Sequence, residues 1–371
     1  MLTIALVCSF AGEGLAQKKG FWKSVVAYLD SSNVKGVDPA YITQPDKPWA
    51  LVLNSNVDKL SLEVISTEPV KSVIEEEGTS EITLHLQIKP PVSTSLGLWA
   101  GYRGYGAGYS LSLSGDNGYS FAMNMVSPSY GINLRINRFS FDKPTASMSW
   151  NMNGSGGSAE NAFDTKFIQD IFSSPMKIGT LVFDGYWVFN KKRFSMLAAY
   201  DQSTVQLRSA GSLIAGLMYY YQKIDYNSPK SLYLIQYFTK MGLMKVYQGS
   251  IGLGYTYNWV PARGLVINAT AMPVLTLLNQ VKVSNYELIY PDLDKYSGSD
   301  WIDELTMKHI GDERLNGGVR LNLDLRMGVS YVWRDWYIGA AAQGHHFRSN
   351  SDDTTLKLTD WNIKAFIGMR I

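Results

Sequence analysis

Cysteine is nearly absent from this chain. Cys8 is the single one in 371 residues. It sits in an N-terminal segment that reads as removable, so disulfides, thiolate metal centres and cysteine nucleophiles are excluded from a processed chain. Histidine is almost as scarce, with His85, His309, His345 and His346 making up the set. His345 and His346 are adjacent, so in a strand they point to opposite faces and cannot converge on one ligand. Charged residues are 18% of the chain, below the roughly 25% of soluble domains. The formal net charge is only +2, which gives no field for nucleic acid. Beyond the extreme N-terminus no run reaches about 18 apolar residues, so helical membrane spans are excluded. Gly104-Tyr105-Gly106-Ala107-Gly108 is glycine-rich but has no βα unit around it and lacks the phosphate-binding lysine, so it reads as a turn. No cofactor and no metal site are expected.

What the chain has instead is aromatic and glycine residues, with 23 Tyr, 10 Trp and 33 Gly. It also has one long alternation. Val319, Leu321, Leu323, Leu325, Met327, Val329, Tyr331 and Trp333 share one face of an extended segment. Arg320, Asn322, Asp324, Arg326, Gly328, Ser330 and Arg334 share the other, with Val332 the exception. A period of two is a strand with two different surroundings. Its sixteen residues are about three times a common strand length. The apolar face is nearly pure, and the polar face carries Arg, Asp, Asn, Gly and Ser rather than a solvated Lys/Glu mixture. That is the pattern of a wall with lipid outside and a wet lumen inside.

Residues 1–16 form an apolar stretch ending in Gly14-Leu15-Ala16, which reads as a signal peptide cleaved after Ala16. Residues 17–48 read as a periplasmic leader. In it Phe21, Trp22, Val25, Val26 and Leu29 are spaced for a short amphipathic helix, and Pro39, Pro45 and Pro48 break regular structure. From 49 to 371 short alternations recur between Gly, Asn, Asp and Ser clusters. The strands expected are 82–89, 96–103, 105–114, 119–126, 130–139, 177–190, 211–222, 249–259, 263–280, 318–334, 336–348 and 358–371. The 49–66 region reads either as a hairpin in the wall or as an extension. Turns at Pro261-Ala262 and Arg334-Asp335 are tight, whereas 224–246, 281–316 and 349–357 are long polar loops. Segment 191–208 fits best as a connection on the short-turn rim. The expectation is therefore all-β: a single closed antiparallel transmembrane β-barrel of about 12 strands (10–14) in the outer membrane. The lipid bilayer is its principal partner, and its C-terminal strand is the element the outer-membrane assembly machinery would read. A soluble lipocalin-like or sandwich fold is the competitor.

The order of several motifs resembles a known family. They are Val37-Asp38-Pro39-Ala40-Tyr41-Ile42; Lys89-Pro90-Pro91 before Leu96-Gly97-Leu98; Gly185-Tyr186-Trp187-Val188-Phe189-Asn190-Lys191-Lys192-Arg193-Phe194-Ser195; Ser209-Ala210-Gly211-Ser212; Gly252 to Trp259; and Phe347-Arg348. Over about residues 35–371 the chain resembles domain of unknown function 4421, a family of Bacteroides-type Gram-negative bacteria. The resemblance implies a secreted outer-membrane barrel and implies no activity.

The polar strand faces nominate a lumen lined by His85, Lys89, Arg135, Arg320, Asp324, Arg326, Lys364 and Arg370, in which bases outnumber acids. Two readings stay open. In one these groups interlock with each other and with inward loops, and the barrel is plugged. In the other a basic lumen binds or passes small anionic solutes. A lipid-modifying hydrolase would need a serine activated by a histidine. His85 falls on the polar face of its strand and Ser110 and Ser112 on the polar face two strands on, a pairing that arises by chance in a serine-rich barrel and comes without any nucleophile motif. A barrel serving surface interaction or structure is the remaining alternative. His309, with Asp300, Asp303, Glu304 and Asp312, reads as an acidic solvated loop.

Overall fold

Strand-forming alternation of this kind closes on itself. The computed structural model describes residues 23–24, 26–31, 35–71, 79–89, 92–113, 118–141, 145–154, 157–163, 176–225, 241–292, 295, 304–350 and 354–371. The signal segment 1–16 lies outside the described residues. In the leader, residues 26–31 are helical, and Ile42–Thr43 forms a short strand, β1. The strands that follow are β2 (Trp49–Lys71), β3 (Thr79–Lys89), β4 (Ser93–Tyr102), β5 (Tyr105–Ser112), β6 (Tyr119–Val126), β7 (Tyr130–Phe141), β8 (Thr145–Gly154) and β9 (Gly157–Phe163). Then come β10 (Met176–Val188), β11 (Val205–Gln206), β12 (Ala210–Asp225), β13 (Met241–Ala262), β14 (Leu265–Ile289), β15 (Thr306–Asn316), β16 (Arg320–Trp333), β17 (Trp336–Asn350) and β18 (Thr354–Arg370).

Twelve of them close an antiparallel barrel in the order β2-β4-β5-β6-β7-β10-β12-β13-β14-β16-β17-β18, with β18 returning to β2 along its whole length. Closure pairs every wall strand on both sides, which a lipid environment demands of the backbone. The 319–334 alternation is β16, and its two faces behave as the pattern requires. Leu321 is 75% exposed and Met327 62% on the outside, whereas Asp324 and Ser330 are buried inside. The outer apolar band continues through Leu51, Leu53, Leu213, Leu217, Ile251 and Leu253. At the short-turn rim it ends in a girdle of Trp49, Trp187, Trp259, Trp333 and Trp336. This exterior is that of a membrane-spanning barrel, and among the described residues no helix is long and apolar enough to cross a membrane.

The short-turn rim is built from two-residue hairpins. Arg103 (φ 53°) and Gly104 (φ 92°) both take the left-handed region, as the tightest hairpin turn requires. Trp333 pairs with Trp336 across Arg334-Asp335. The turn expected at Pro261-Ala262 lies two residues on, at Arg263-Gly264, because Ala262 still pairs with Leu265.

Two further expectations are corrected. The 82–89 strand, now β3, is not part of the wall. It pairs only with the far half of β2, beyond Leu62, and with β8. The wall strand is β2, whose near half, 49–58, pairs with β4 while its entire run from Ala50 to Ser66 pairs with β18. The total of twelve is kept, with β2 taking the place of β3. The polar loop 281–316 is also mostly strand. β14 runs to Ile289 and β15 pairs back onto it. At 25 residues β14 spans about 80 Å, far more than the 9–11 residues a bilayer needs, so the sheet stands well clear of the membrane on the long-loop side.

Candidate functional site

The lumen is closed at the short-turn end by the connection between β10 and β12. Residues 189–209 carry charges at the ends (Lys191, Lys192, Arg193 and Arg208) and an apolar middle. The ends stay exposed and the middle folds inward. Phe194 and Leu197 are fully buried, and Leu197–Tyr200 forms one helical turn, α1. The apolar middle packs against Val126, Tyr186, Val188, Ile214, Met272 and Val274 of the wall.

Polar wall residues hold the backbone of this plug. Asn258 Nδ2 donates to Ser195 O at 2.8 Å, Ser330 Oγ to Ala198 O at 3.2 Å, and Arg370 Nη2 to Gln202 O at 2.8 Å. Tyr200 Oη donates to Asn268 Oδ1 at 2.7 Å. Gln206 ties the segment to itself, receiving Ser195 N–H at 3.0 Å and donating to Arg193 O at 2.6 Å. The leader clasps the plug from outside. β1 pairs with β11, and the Arg193 guanidinium lies over the Tyr41 ring at 5.0 Å. Asp201 is buried in the plug. Desolvation drives its carboxyl above the usual carboxylate range, against the pull of Ser203, Lys364 and Arg370.

Above the plug lies a cavity of about 210 Å³. Its wall is rich in amides and hydroxyls, including Asn54, Asn56, Asn133, Asn137, Ser110 and Ser120. Trp99 forms an apolar patch in it. The indole lies across β4 and β5 because Gly101 and Gly106 have no side chains there. A Cβ at either would stand 2.0 or 2.2 Å from the ring. Arg326 spans the lumen. Its Nη1 and Nη2 meet Asp184 Oδ2 and Oδ1 of β10 at 2.6 and 2.8 Å, and Nη2 also meets Asp324 Oδ2 at 2.6 Å. Asn133 Nδ2 adds a bond to Asp184 at 3.1 Å. A second charged group comprises Asp58, Asp360, Arg135 and Lys364, with Asn362 Nδ2 donating to Asp58 at 2.8 Å. The Arg135 Nε has no hydrogen-bond partner among the described residues.

Five of the eight nominated residues face this interior: Arg135, Asp324, Arg326, Lys364 and Arg370. Arg320 stands at the start of β16, where its Nε donates to Gly317 O at 3.2 Å, and does not line the cavity. His85 and Lys89 lie on β3, outside the wall, so neither is lumenal. β3 pairs with β2 and β8, not with β5, the strand that carries Ser110. Ser110 instead donates to Asn54 Oδ1 at 3.3 Å. His309 sits on β15, exposed, with Nε2 3.0 Å from Asp312. The expected excess of bases is also corrected. Asp58, Asp184 and Asp201 line the cavity beside Arg135, Arg326 and Lys364, so acids and bases balance. Asp184 carries a signal that sequence reasoning passed over: it is the one charge inside the apolar run from Leu181 to Val188.

No curated protein matches the chain. Among solved structures it is similar to the β domain of the Bordetella autotransporter BrkA, with 9% identity, 87% of this chain and 100% of that chain covered, and a TM-score of 0.28. It is similar to the translocator domain of the autotransporter NalP from Neisseria meningitidis, with 9% identity, 96% and 98% covered, and a TM-score of 0.30. An outer membrane channel from Pseudomonas putida F1 shares 8% identity, with 90% and 100% covered and a TM-score of 0.27. Likeness at this level carries no weight for function. The match along the sequence itself is of another order: over residues 40–370 the chain belongs to the family described as domain of unknown function (DUF4421).

Proposed function

We propose that this protein is an outer-membrane barrel of a Gram-negative bacterium that binds a small polar solute in its lumen and works without covalent chemistry. The observation that carries this reading is the cavity of about 210 Å³, shut on one side by the plug and lined by equal numbers of carboxylates and cations. It is small beside the roughly 300–1,000 Å³ of pockets that take drug-sized ligands, so its occupant is small. Balanced charge and a high amide content favour a neutral or zwitterionic solute over an anion. Arg135, with an unused donor, and the Asn side chains are the recognition groups, and Trp99 supplies an apolar contact. Passage through the barrel requires residues 194–204 to leave the lumen.

Planar-bilayer conductance tests this. The intact protein is expected to show no steady open level. Replacing 195–204 by a glycine-serine linker of equal length should open a conductance whose reversal potential in a salt gradient stays near zero. Steady conduction by the intact protein, or strong anion preference in the linker variant, contradicts the reading.

A further inference from the structure

On the outer face, one rung of the sheet is occupied by cations. Lys223 of β12 is the direct partner of Lys245 of β13, Lys245 of Lys282 of β14, and Lys282 of Arg314 of β15. In the other direction Lys223 pairs with Gly179 of β10, which pairs with Arg138 of β7. Six strands thus contribute five cations and no acid, on strands about 4.8 Å apart. At Gly179 a Cβ would meet nothing within 4 Å, which leaves a notch in the row. Like charges directly opposite one another oppose sheet formation. Among the described residues the neighbouring carboxylates lie on the next rung. Asp225 holds Lys223 at 2.9 Å, and Asp312, paired in register with Ser284, feels Lys245. Lys177 lies there as well, opposite Asp225. Six cations against two carboxylates on these two rungs leave a net excess of bases.

The height of this row on the wall points to its partner. The outward positions just beneath it are Ile136, Leu181, Tyr221 and Tyr247, and Gln280 on β14. The rung below that is Leu134, Phe183, Tyr219, Gly249 and Leu278. Tyr221 and Tyr247 rings lie 5.2 Å apart, and Lys282 Nζ stands 5.7 Å over the Tyr247 ring. Tyrosines mark the hydrocarbon-headgroup boundary of a membrane barrel. The cations therefore begin where the lipid tails end, on the long-loop side.

We propose that this rung binds the phosphate groups of a phosphorylated lipid in the outer leaflet, with its acyl chains against the apolar rungs below. Cation clusters at a membrane surface recognise such headgroups by charge and charge-assisted hydrogen bonds. The proposal is independent of the solute in the lumen and rests on the outer-membrane reading, with the long loops facing outward.

Native mass spectrometry of the full chain in a neutral detergent, with synthetic diphosphoryl lipid A or phosphatidylcholine added, tests it. The wild type should retain the diphosphorylated lipid at least tenfold over phosphatidylcholine. The Lys223→Gln/Lys245→Gln/Lys282→Gln variant should lose that preference, and Lys245→Gln alone should weaken it. Inorganic phosphate at equal concentration should not compete. Heat-modifiable gel mobility reports whether each variant is a closed barrel. Without lipid at low salt, the triple variant should melt no lower than the wild type, because like charges have been removed. Equal lipid retention by wild type and triple variant, or no preference for the phosphorylated lipid, overturns the proposal. Displacement by inorganic phosphate also overturns it, in favour of a free-anion site.

Discussion

Arg326 and Asp184 meet across the lumen through two parallel bonds of 2.6 and 2.8 Å, although β12, β13 and β14 separate their strands in the wall. Asp324 shares the same guanidinium. All three side chains are buried, at 11%, 7% and 2% exposure. Removing the cation leaves two desolvated carboxylates facing each other. Arg326→Met is expected to cost about 3–5 kcal/mol, as for other buried pairs broken on one side. Adding Asp184→Asn and Asp324→Asn to it should restore most of that. Urea unfolding of the barrel refolded in lipid reads both, and a single variant as stable as wild type would show that the bridge does not brace the barrel.

The plug should respond to pH through Asp201. Burial raises its carboxyl pKa, so the folded state binds a proton where the unfolded chain has released it. Stability then falls as pH rises from the ordinary carboxylate range through the raised value, and returns on acidification. Amides of 195–204, corrected for intrinsic exchange, should be better protected from hydrogen exchange at about pH 4.5 than at about pH 7.5. Asp201→Asn should flatten the difference. Protection that increases with pH would contradict this account.

The outer face of β16 should tolerate charge according to depth. Met327 lies about midway between the Trp333 girdle and the far end of the apolar face. Met327→Arg is expected to destabilise by about 2–4 kcal/mol, and Val319→Arg, at the far end, by about 0–1 kcal/mol. Equal costs in the same lipid unfolding assay would mean that this face does not contact hydrocarbon.

Gly106 should be intolerant of a side chain for a local reason. Its Cβ would stand 2.2 Å from the Trp99 ring. Gly106→Val must push the indole into the cavity, with a cost of about 1–3 kcal/mol from overpacking. The Trp99 emission, taken as the difference between spectra with Trp99 and with Trp99→Phe, should shift when Gly106→Val displaces the ring. An unchanged spectrum would mean the ring does not rest on β5.

The barrel was legible because a wall between lipid and water imposes period two on every strand, and β16 shows it without noise. β2 hid itself for the same physical reason. Inside the barrel it carries Val52 and outside it carries Ser55, so its alternation blurs, whereas the cleaner pattern of β3 belongs to a strand beyond the wall. Face assignment recovered Arg135, Asp324, Arg326, Lys364 and Arg370. It could not recover Asp184 or Asp58, because strands apolar or mixed on both faces do not announce which side is wet. That inward loops plug the lumen was one of the two readings, but that residues 194–204 do so escaped, because their inward turn depends on tertiary partners such as Asn258 and Ser330, which lie more than fifty residues away along the chain.

The barrel is sealed by its last residues. Ile371 exchanges both backbone hydrogen bonds with Trp49, at 3.0 and 3.2 Å, and β18 pairs with β2 over seventeen rungs. First and last wall strands are neighbours in space and some three hundred residues apart in the chain. No product that stops short of β18 can therefore close. Until β18 reaches it, β2 presents a bare edge that invites aggregation. A stop codon ahead of β18 would leave that edge open for good.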